Sequence, residues 1–407
     1  MKLNNNLLLP IALLATAALT AYADDDPTRK EPFFVNQNTI YMTPEADADK
    51  ALGVTTVSEG LWARKFPDGY QFYNLQGQKF TDSRWDLPGV NAVPRMTRWG
   101  VIVKKAGADY NAPYILVRPD GSEAALPAEW SYPTPFVDSL AIVRVKEGNS
   151  YRNRYITPDL KIVFPDLSPC DERFEGENNT TPPLSEGLRA YCTKVGYNNL
   201  WGYIDKNGNV VIEPQFREAR SFHCGLALVK DTDNNKFFIN KSGNKAFEPQ
   251  WKKFDDVSDY DSGLCAAPGD RFDKTDYYDL LGNKVTTVKH GTAFHNGYAY
   301  CYIFDEALNK DFVHKIDTNF TDCGVTGVPT SNFREPEYDA CDVAHFTSWV
   351  VDGAACNVKY FYDYSVDKFS KEGYAPATMT TNDGKSVYKG FIDRQGHFKL
   401  VYETKSK

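Results

Sequence analysis

A glycine that opens a short alternating strand returns along this chain at a nearly constant distance, and that period constrains the fold more than any other feature of the sequence. The motif reads Gly187-Leu188-Arg189-Ala190, Gly225-Leu226-Ala227-Leu228, Gly263-Leu264-Cys265-Ala266 and Gly297-Tyr298-Ala299-Tyr300, with glycines 38, 38 and 34 residues apart. Gly60 and Gly373 open matching strands, and Ser139-Leu140-Ala141-Ile142 is the same element without its glycine. A unit of this size cannot bury an apolar face alone, so copies must stack on their neighbours.

A second pattern, aromatic-aliphatic-Asp/Asn-x-x-Gly, runs in step with the first. It occurs at Phe72-Tyr73-Asn74 with Gly77, Tyr203-Ile204-Asp205 with Gly208, and Phe238-Ile239-Asn240 with Gly243. Tyr277-Tyr278-Asp279 with Gly282 and Phe391-Ile392-Asp393 with Gly396 continue it. Gly282 and Gly396 are 114 residues apart, three periods of 38, and worn copies at 313–317 and 361–363 fill the gap. Others stand at 116–121 and 155–159. The chemistry is local. An Asp or Asn at the start of a turn accepts backbone N–H groups just ahead of it, and glycine supplies the positive φ that closes the turn. Each unit therefore reads as strand, tight turn, strand, a Pro-marked connection such as Glu213-Pro214-Gln215, and the glycine-led strand.

Aromatic residues make up 14% of the chain, Tyr and Phe 25 each, and no long segment shows an apolar period of helical length. Those side chains suit a pleated, half-buried sheet. The expected fold is all-β: tandem repeats of about 38 residues forming small antiparallel sheets of about three strands. They close into a propeller-like ring or run as a curved β-solenoid, and the period alone does not choose. The array is expected over 58–400, with insertions at 165–186 and 321–345, an irregular N-terminal cap at 24–57 and a C-terminal tail at 401–407.

The run Leu200-Trp201-Gly202-Tyr203-Ile204-Asp205-Lys206-Asn207-Gly208 resembles the defining strand of the bacterial WG-repeat family, and Ile212 to Phe216 with Gly225 to Val229 resembles the rest of that unit. The Trp-Gly pair stands in frame only here; Lys236, Thr275 and Lys389 occupy the Trp position elsewhere. The resemblance implies tandem β-repeats, roughly nine of them, and a binding or interaction role. It carries no catalytic residues.

The N-terminus has the three parts of a secretory signal peptide: Lys2, an apolar run from Leu7 to Leu19, and a small-x-small exit at Ala21-Tyr22-Ala23. Cleavage after Ala23 is expected, which makes the protein exported: periplasmic, cell-surface or extracellular. The apolar run is too short to span a bilayer, and no later segment could. A net charge of −8 gives no counterion-release drive toward nucleic acid or anionic membrane.

Eight cysteines without a Cys-x-x-Cys spacing exclude zinc-ribbon and thioredoxin-like chemistry and permit disulfides. Cys170 and Cys192 flank the first insertion and Cys323 and Cys341 bracket the second, so a bridge in either place would tie down a loop. Cys265 and Cys301 read as small buried hydrophobes within strands. His290 and His295 are close in sequence but lack a metal spacing, and Asp231-Thr232-Asp233-Asn234-Asn235 reads as a solvated hairpin tip lacking the Gly and Glu of a calcium loop. No catalytic, cofactor or metal signature is present. Trp130, Trp201 and Trp251 are expected in the core, with Trp85, Trp99 and Trp349 the better candidates for exposure. The leading functional expectation is an exported binding module for a protein, peptide or glycan. A polysaccharide-directed hydrolase and a structural envelope component are the alternatives.

Overall fold

The computed structural model describes residues 35–43, 45, 48–86, 96–170, 181–249, 251, 256–327, 336–338, 344–346, 349–351, 368–381 and 383–406. The expected signal peptide and its cleavage point at Ala23 lie outside them, as do Cys341 and the motif copy at 361–363.

The near-ideal repeat shows the unit. Leu184–Ser185, Leu188–Val195, Asn198–Asp205 and Val210–Phe216 form one antiparallel meander. The central hairpin of that unit recurs nine times among the described residues: Leu61–Phe66 with Gly69–Asn74, Val101–Lys105 with Ile115–Val117, Ala141–Glu147 with Ser150–Ile156, Leu188–Val195 with Asn198–Asp205, Leu226–Lys230 with Lys236–Asn240, Cys265–Pro268 with Lys274–Tyr278, Tyr298–Asp305 with Lys310–Asp317, Ala344–Phe346 with Trp349–Val351, and Ala375–Thr380 with Ser386–Ile392. Several sheets gain a fourth strand, because the arm leading into the glycine turn, such as Leu184–Ser185, pairs back onto the strand that follows it.

Both repeated motifs fold as their chemistry requires. At the strand-opening turn two consecutive residues take positive φ, as in Glu59 (52°) and Gly60 (72°), the requirement of a type I′ connection. Where Gly is missing, Asp138 and Ser139 hold the same conformation at 47° and 64°. In the second motif the Asp205 carboxylate accepts the N–H groups of Asn207 at 2.8 Å and Asn209 at 2.9 Å. Asn74, Asn240, Asp279, Asp317 and Asp393 make the same pair of bonds. Phe320 stands at φ 59° in the glycine position of the worn copy after Asp317.

The glycine of the Trp-Gly pair has a different cause. Its φ is ordinary, but a Cβ on Gly202 would lie 2.3 Å from the Ile212 carbonyl oxygen and 2.6 Å from the Pro214 nitrogen. The third strand crosses the second there at an irregular register between Trp201 and Tyr203. Gly390 in the last repeat sits under the Leu400 carbonyl at a matching break.

Hydrophobic clusters bridge successive repeats. Leu188, Trp201 and Tyr203 pack with Phe222, Val229 and Ile239, and Leu228 and Phe238 pack with Tyr260, Cys265 and Tyr278. The same kind of cluster joins the last repeat to the first, where Trp62 and Tyr73 meet Phe391 and Leu400. Carboxylate contacts repeat the pattern: the Glu186 side chain accepts the N–H of Gly225 in the next repeat at 3.0 Å, and the Glu372 side chain accepts that of Glu59 at 2.6 Å. Ile40–Tyr41 adds in parallel to Leu400 and Val401, and Thr39 Oγ1 donates to the Phe398 carbonyl at 2.9 Å. The ends of the array therefore use the interface that joins its interior repeats. The array is a propeller-like ring, and the solenoid alternative does not hold.

Several expectations change. Phe398–Ser406 is one strand, so pairing runs past 400 into the expected tail, because Glu403, Thr404, Lys405 and Ser406 all face partners on Ser386–Ile392. Part of the 321–345 insertion is regular, with Asp322–Gly327 pairing to Lys310–Asp317. The expected irregular cap at 24–57 is partly regular: Ile40–Tyr41 supplies the closing strand, and Gly53–Val54 pairs with the first hairpin. Trp85 is fully buried instead of exposed: it packs among Phe72, Val103 and Val117, and Nε1 donates to Thr81 Oγ1 at 2.8 Å.

Candidate binding surface: tyrosines and cations at two hairpin tips

Among the described residues, no three His, Cys, Asp or Glu side chains stand together as metal ligands. The nearest approach to a catalytic constellation is in the seventh repeat. Cys301 pairs across the ladder with His314, whose Nδ1 lies 2.9 Å from Asp322 Oδ1. Burial, with the Asp322 charge beside it, pushes the Cys301 thiol up to about 11. Such a thiol is not ionised near neutrality, so it lacks the thiolate a nucleophile needs. Burial likewise pushes Cys265 up to about 12. Both cysteines are buried within strands.

Cys170 and Cys192 are joined by a disulfide, and the Cys170 N–H donates to the Cys192 carbonyl at 3.0 Å. Cys323 is exposed with a free thiol. His290 and His295 do not converge: His290 lies against the Tyr302 ring and His295 stacks on Tyr338 at 3.9 Å. The Asp231 carboxylate accepts the N–H groups of Asp233 and Asn235, which makes 231–235 a self-satisfied hairpin tip. Trp130 and Trp201 are buried and Trp251 is partly so; Trp99 is half-buried against the core, with the Arg98 guanidinium 4.3 Å from its ring.

The surface that stands out was not legible in the sequence. The loop between Val101–Lys105 and Ile115–Val117 carries Tyr110 and Tyr114, while the next repeat carries Tyr132 just after Trp130–Ser131 and Tyr151 at the tip of its central hairpin. Tyr110, Tyr132 and Tyr151 are 81%, 59% and 60% exposed. Tyr110 and Tyr132 join across the repeat boundary through their hydroxyls at 3.1 Å. Lys104 reaches under them: its ammonium donates to the Tyr110 carbonyl at 2.6 Å and lies 4.7 Å from the Tyr114 ring centre. The Arg144 guanidinium stands 5.2 Å from the Tyr132 ring, a cation–π geometry. The hydrogen bond to Tyr132 raises the Tyr110 phenol, and burial raises Tyr114, so both stay protonated donors at neutral pH. Tyr132 holds φ 49°, a left-handed conformation unfavourable for a bulky side chain.

A profile of the WG containing repeat matches residues 201–236. No curated protein matches the chain. Similar solved structures include the eukaryotic initiation factor at 11% identity, covering 89% of this chain and 91% of that one with a TM-score of 0.39. The computationally designed Ika8 protein is 10% identical over 62% of this chain and 80% of that one, TM-score 0.31. The Dos1 propeller is 12% identical over 71% and 81%, TM-score 0.29. The profile falls on the one repeat that holds Trp201-Gly202 in frame, so residues 201–236 are a WG containing repeat within an all-β repeat chain.

Proposed function

We propose that this is an exported binding protein, with the ring as scaffold and the tyrosine–cation cluster as its contact surface. The observation that carries the reading is the set of three largely exposed tyrosines from adjacent repeats, two of which, Tyr110 and Tyr132, meet at their hydroxyls. A soluble scaffold gains nothing in stability from aromatic rings left in water. Tyrosines of this kind bring large contact area at low entropic cost, the property that enriches them in binding surfaces. The Cys170–Cys192 disulfide supports export, because such bonds persist in oxidising compartments.

The test is capture. Full-length protein without residues 1–23 is applied to peptide and glycan arrays beside Tyr110→Ala and Tyr151→Ala. Ligands retained by the unmodified chain and lost by both variants support the reading; retention by both refutes the assignment of the surface. N-terminal sequencing of protein recovered outside the cytoplasm should begin at Asp24.

A further inference from the structure

We infer that the ring has one seam, between its first and last repeats, where Arg64 weakens the closure so that it opens before the interior interfaces do. This opening is a property of the scaffold and does not depend on which ligand the tyrosines take.

The seam differs from the interior interfaces first in a buried charge. Counted from Gly187, Gly225, Gly263 and Gly297, the residue four places on is Tyr191, Val229, Ala267 and Cys301. All four are uncharged and buried, and each packs against the preceding repeat. Four places after Gly60 the chain has Arg64, which is 2% exposed. Its guanidinium lies 5.3 Å from the Tyr402 ring and 6.0 Å from the rings of Trp62 and Tyr73. Nη2 donates to the Tyr402 carbonyl at 3.0 Å, while Nε is buried with no hydrogen-bond partner. No carboxylate pairs with Arg64 among the described residues. Buried Arg154 and Arg189 do have carboxylates, Glu147 at 2.8 Å and Asp138 at 3.9 Å. A cation taken out of water without a counter-charge costs more than a packed hydrophobe in its place, and ring faces near the 6 Å limit return only part of that.

Two smaller differences act in the same direction. The Glu186 carboxylate that holds the turn of Gly225 is braced by Lys241 at 3.1 Å, one residue after Asn240. In the first repeat Leu75 follows Asn74 at that place, and Glu372, which holds the Glu59 N–H, makes no ion pair among the described residues. The strand that covers the seam, Ile40–Tyr41, pairs over two residues that are 37% and 53% exposed. Trp62, Tyr73, Phe391 and Leu400 still bury apolar surface at the seam, so the ring is closed at rest.

Thiol labelling of the folded chain without residues 1–23, in the absence of reductant, tests this. Val57 is 1% exposed in the seam cluster, and Val57→Cys places a thiol there. Cys265 and Cys301, 0% and 3% exposed, report on interior interfaces of the same molecule. Buried thiols react only from opened molecules, so iodoacetamide should reach position 57 about tenfold or more faster than either native thiol, as read by peptide mass. Adding Arg64→Met, of similar length and uncharged, should slow labelling at position 57 about tenfold and leave Cys265 and Cys301 unchanged. In the chain without the introduced thiol, Arg64→Met should keep or raise the melting midpoint. A thiol at position 57 that labels no faster than Cys301 overturns the seam. Labelling there that Arg64→Met leaves unchanged or accelerates, or an Arg64→Met chain that melts lower or fails to fold, overturns the role of Arg64.

Discussion

Replacing Gly202 by Ala tests whether the Trp-Gly signature exists to let one strand pass close beneath another. The added Cβ would meet the Ile212 oxygen at 2.3 Å, the Pro214 nitrogen at 2.6 Å and the Glu213 carbonyl carbon at 2.8 Å. All three are backbone atoms, so no rotamer change relieves the contact. Ordinary contact begins near 3.4 Å, so the third strand must shift by about 1 Å at a place where strands normally lie about 4.8 Å apart. Overpacking of this kind costs about 1–3 kcal/mol, and a ladder hydrogen bond lost in the shift adds about 1 kcal/mol. The expected total is about 3 kcal/mol. Gly53→Ala is the matched control: its φ is also ordinary and nothing lies within 4 Å of the added carbon, so it should be neutral or slightly stabilising. Denaturant unfolding followed by tryptophan fluorescence reads both, with Trp201 adjacent to the lesion. A Gly202→Ala cost below about 1 kcal/mol, or one equal to that of Gly53→Ala, refutes the steric account.

Three further outcomes follow from the geometry. Leu400→Ala at the ring closure and Ile212→Ala in the interior each remove a buried side chain from a cluster shared with the next repeat, so each should cost about 2–5 kcal/mol in a melt; a negligible Leu400 effect would mean the ring is not closed through that interface. Reduction of Cys170–Cys192, or Cys170→Ser, should cost about 3 kcal/mol, since the bridge spans 22 residues, and an unchanged melt in reductant would refute a structural role. Acid should loosen the ring. Burial tends to raise the Glu186 carboxyl, but the bonds from Lys241 and the Gly225 N–H outweigh it and leave the group below its ordinary value of 4.5. A carboxylate depressed in the folded state contributes stability that is present above the unfolded value and lost as pH falls through the folded one. Stability should therefore decline below about pH 4.5, and Glu186→Gln should flatten that limb; an unaltered pH profile would remove this rim contact from the account.

The turns were legible because their causes lie within a few residues. Asp205 meets the amides of Asn207 and Asn209 whatever the rest of the chain does, and Glu59-Gly60 bends through its own φ angles. The hairpin count and the burial of Trp201 follow from the same period. Trp85 was misjudged for an equally physical reason: it sits on a two-residue strand between the first two hairpins, so its burial is set by Phe72, Val103 and Val117 from both neighbours and not by any pattern around it. The tyrosine cluster has the same origin. Tyr110, Tyr132 and Tyr151 occupy unlike positions in their repeats, and only the stacking of two units brings them together.

The amino-acid order alone therefore determined the repeat, its hairpins, its turn chemistry and its all-β character, since each is decided by hydrogen bonds and side-chain alternation over short stretches. Tertiary structure decided the ring. Closure depends on Thr39 reaching Phe398, Glu59 reaching Glu372 and Arg64 donating to the Tyr402 carbonyl at 3.0 Å, contacts separated by 359, 313 and 338 residues. A 38-residue period is compatible with any twist between neighbours, and the small rotation added at each interface accumulates around the array until the ends meet or miss. That sum is a property of all the interfaces together, and no single repeat encodes it.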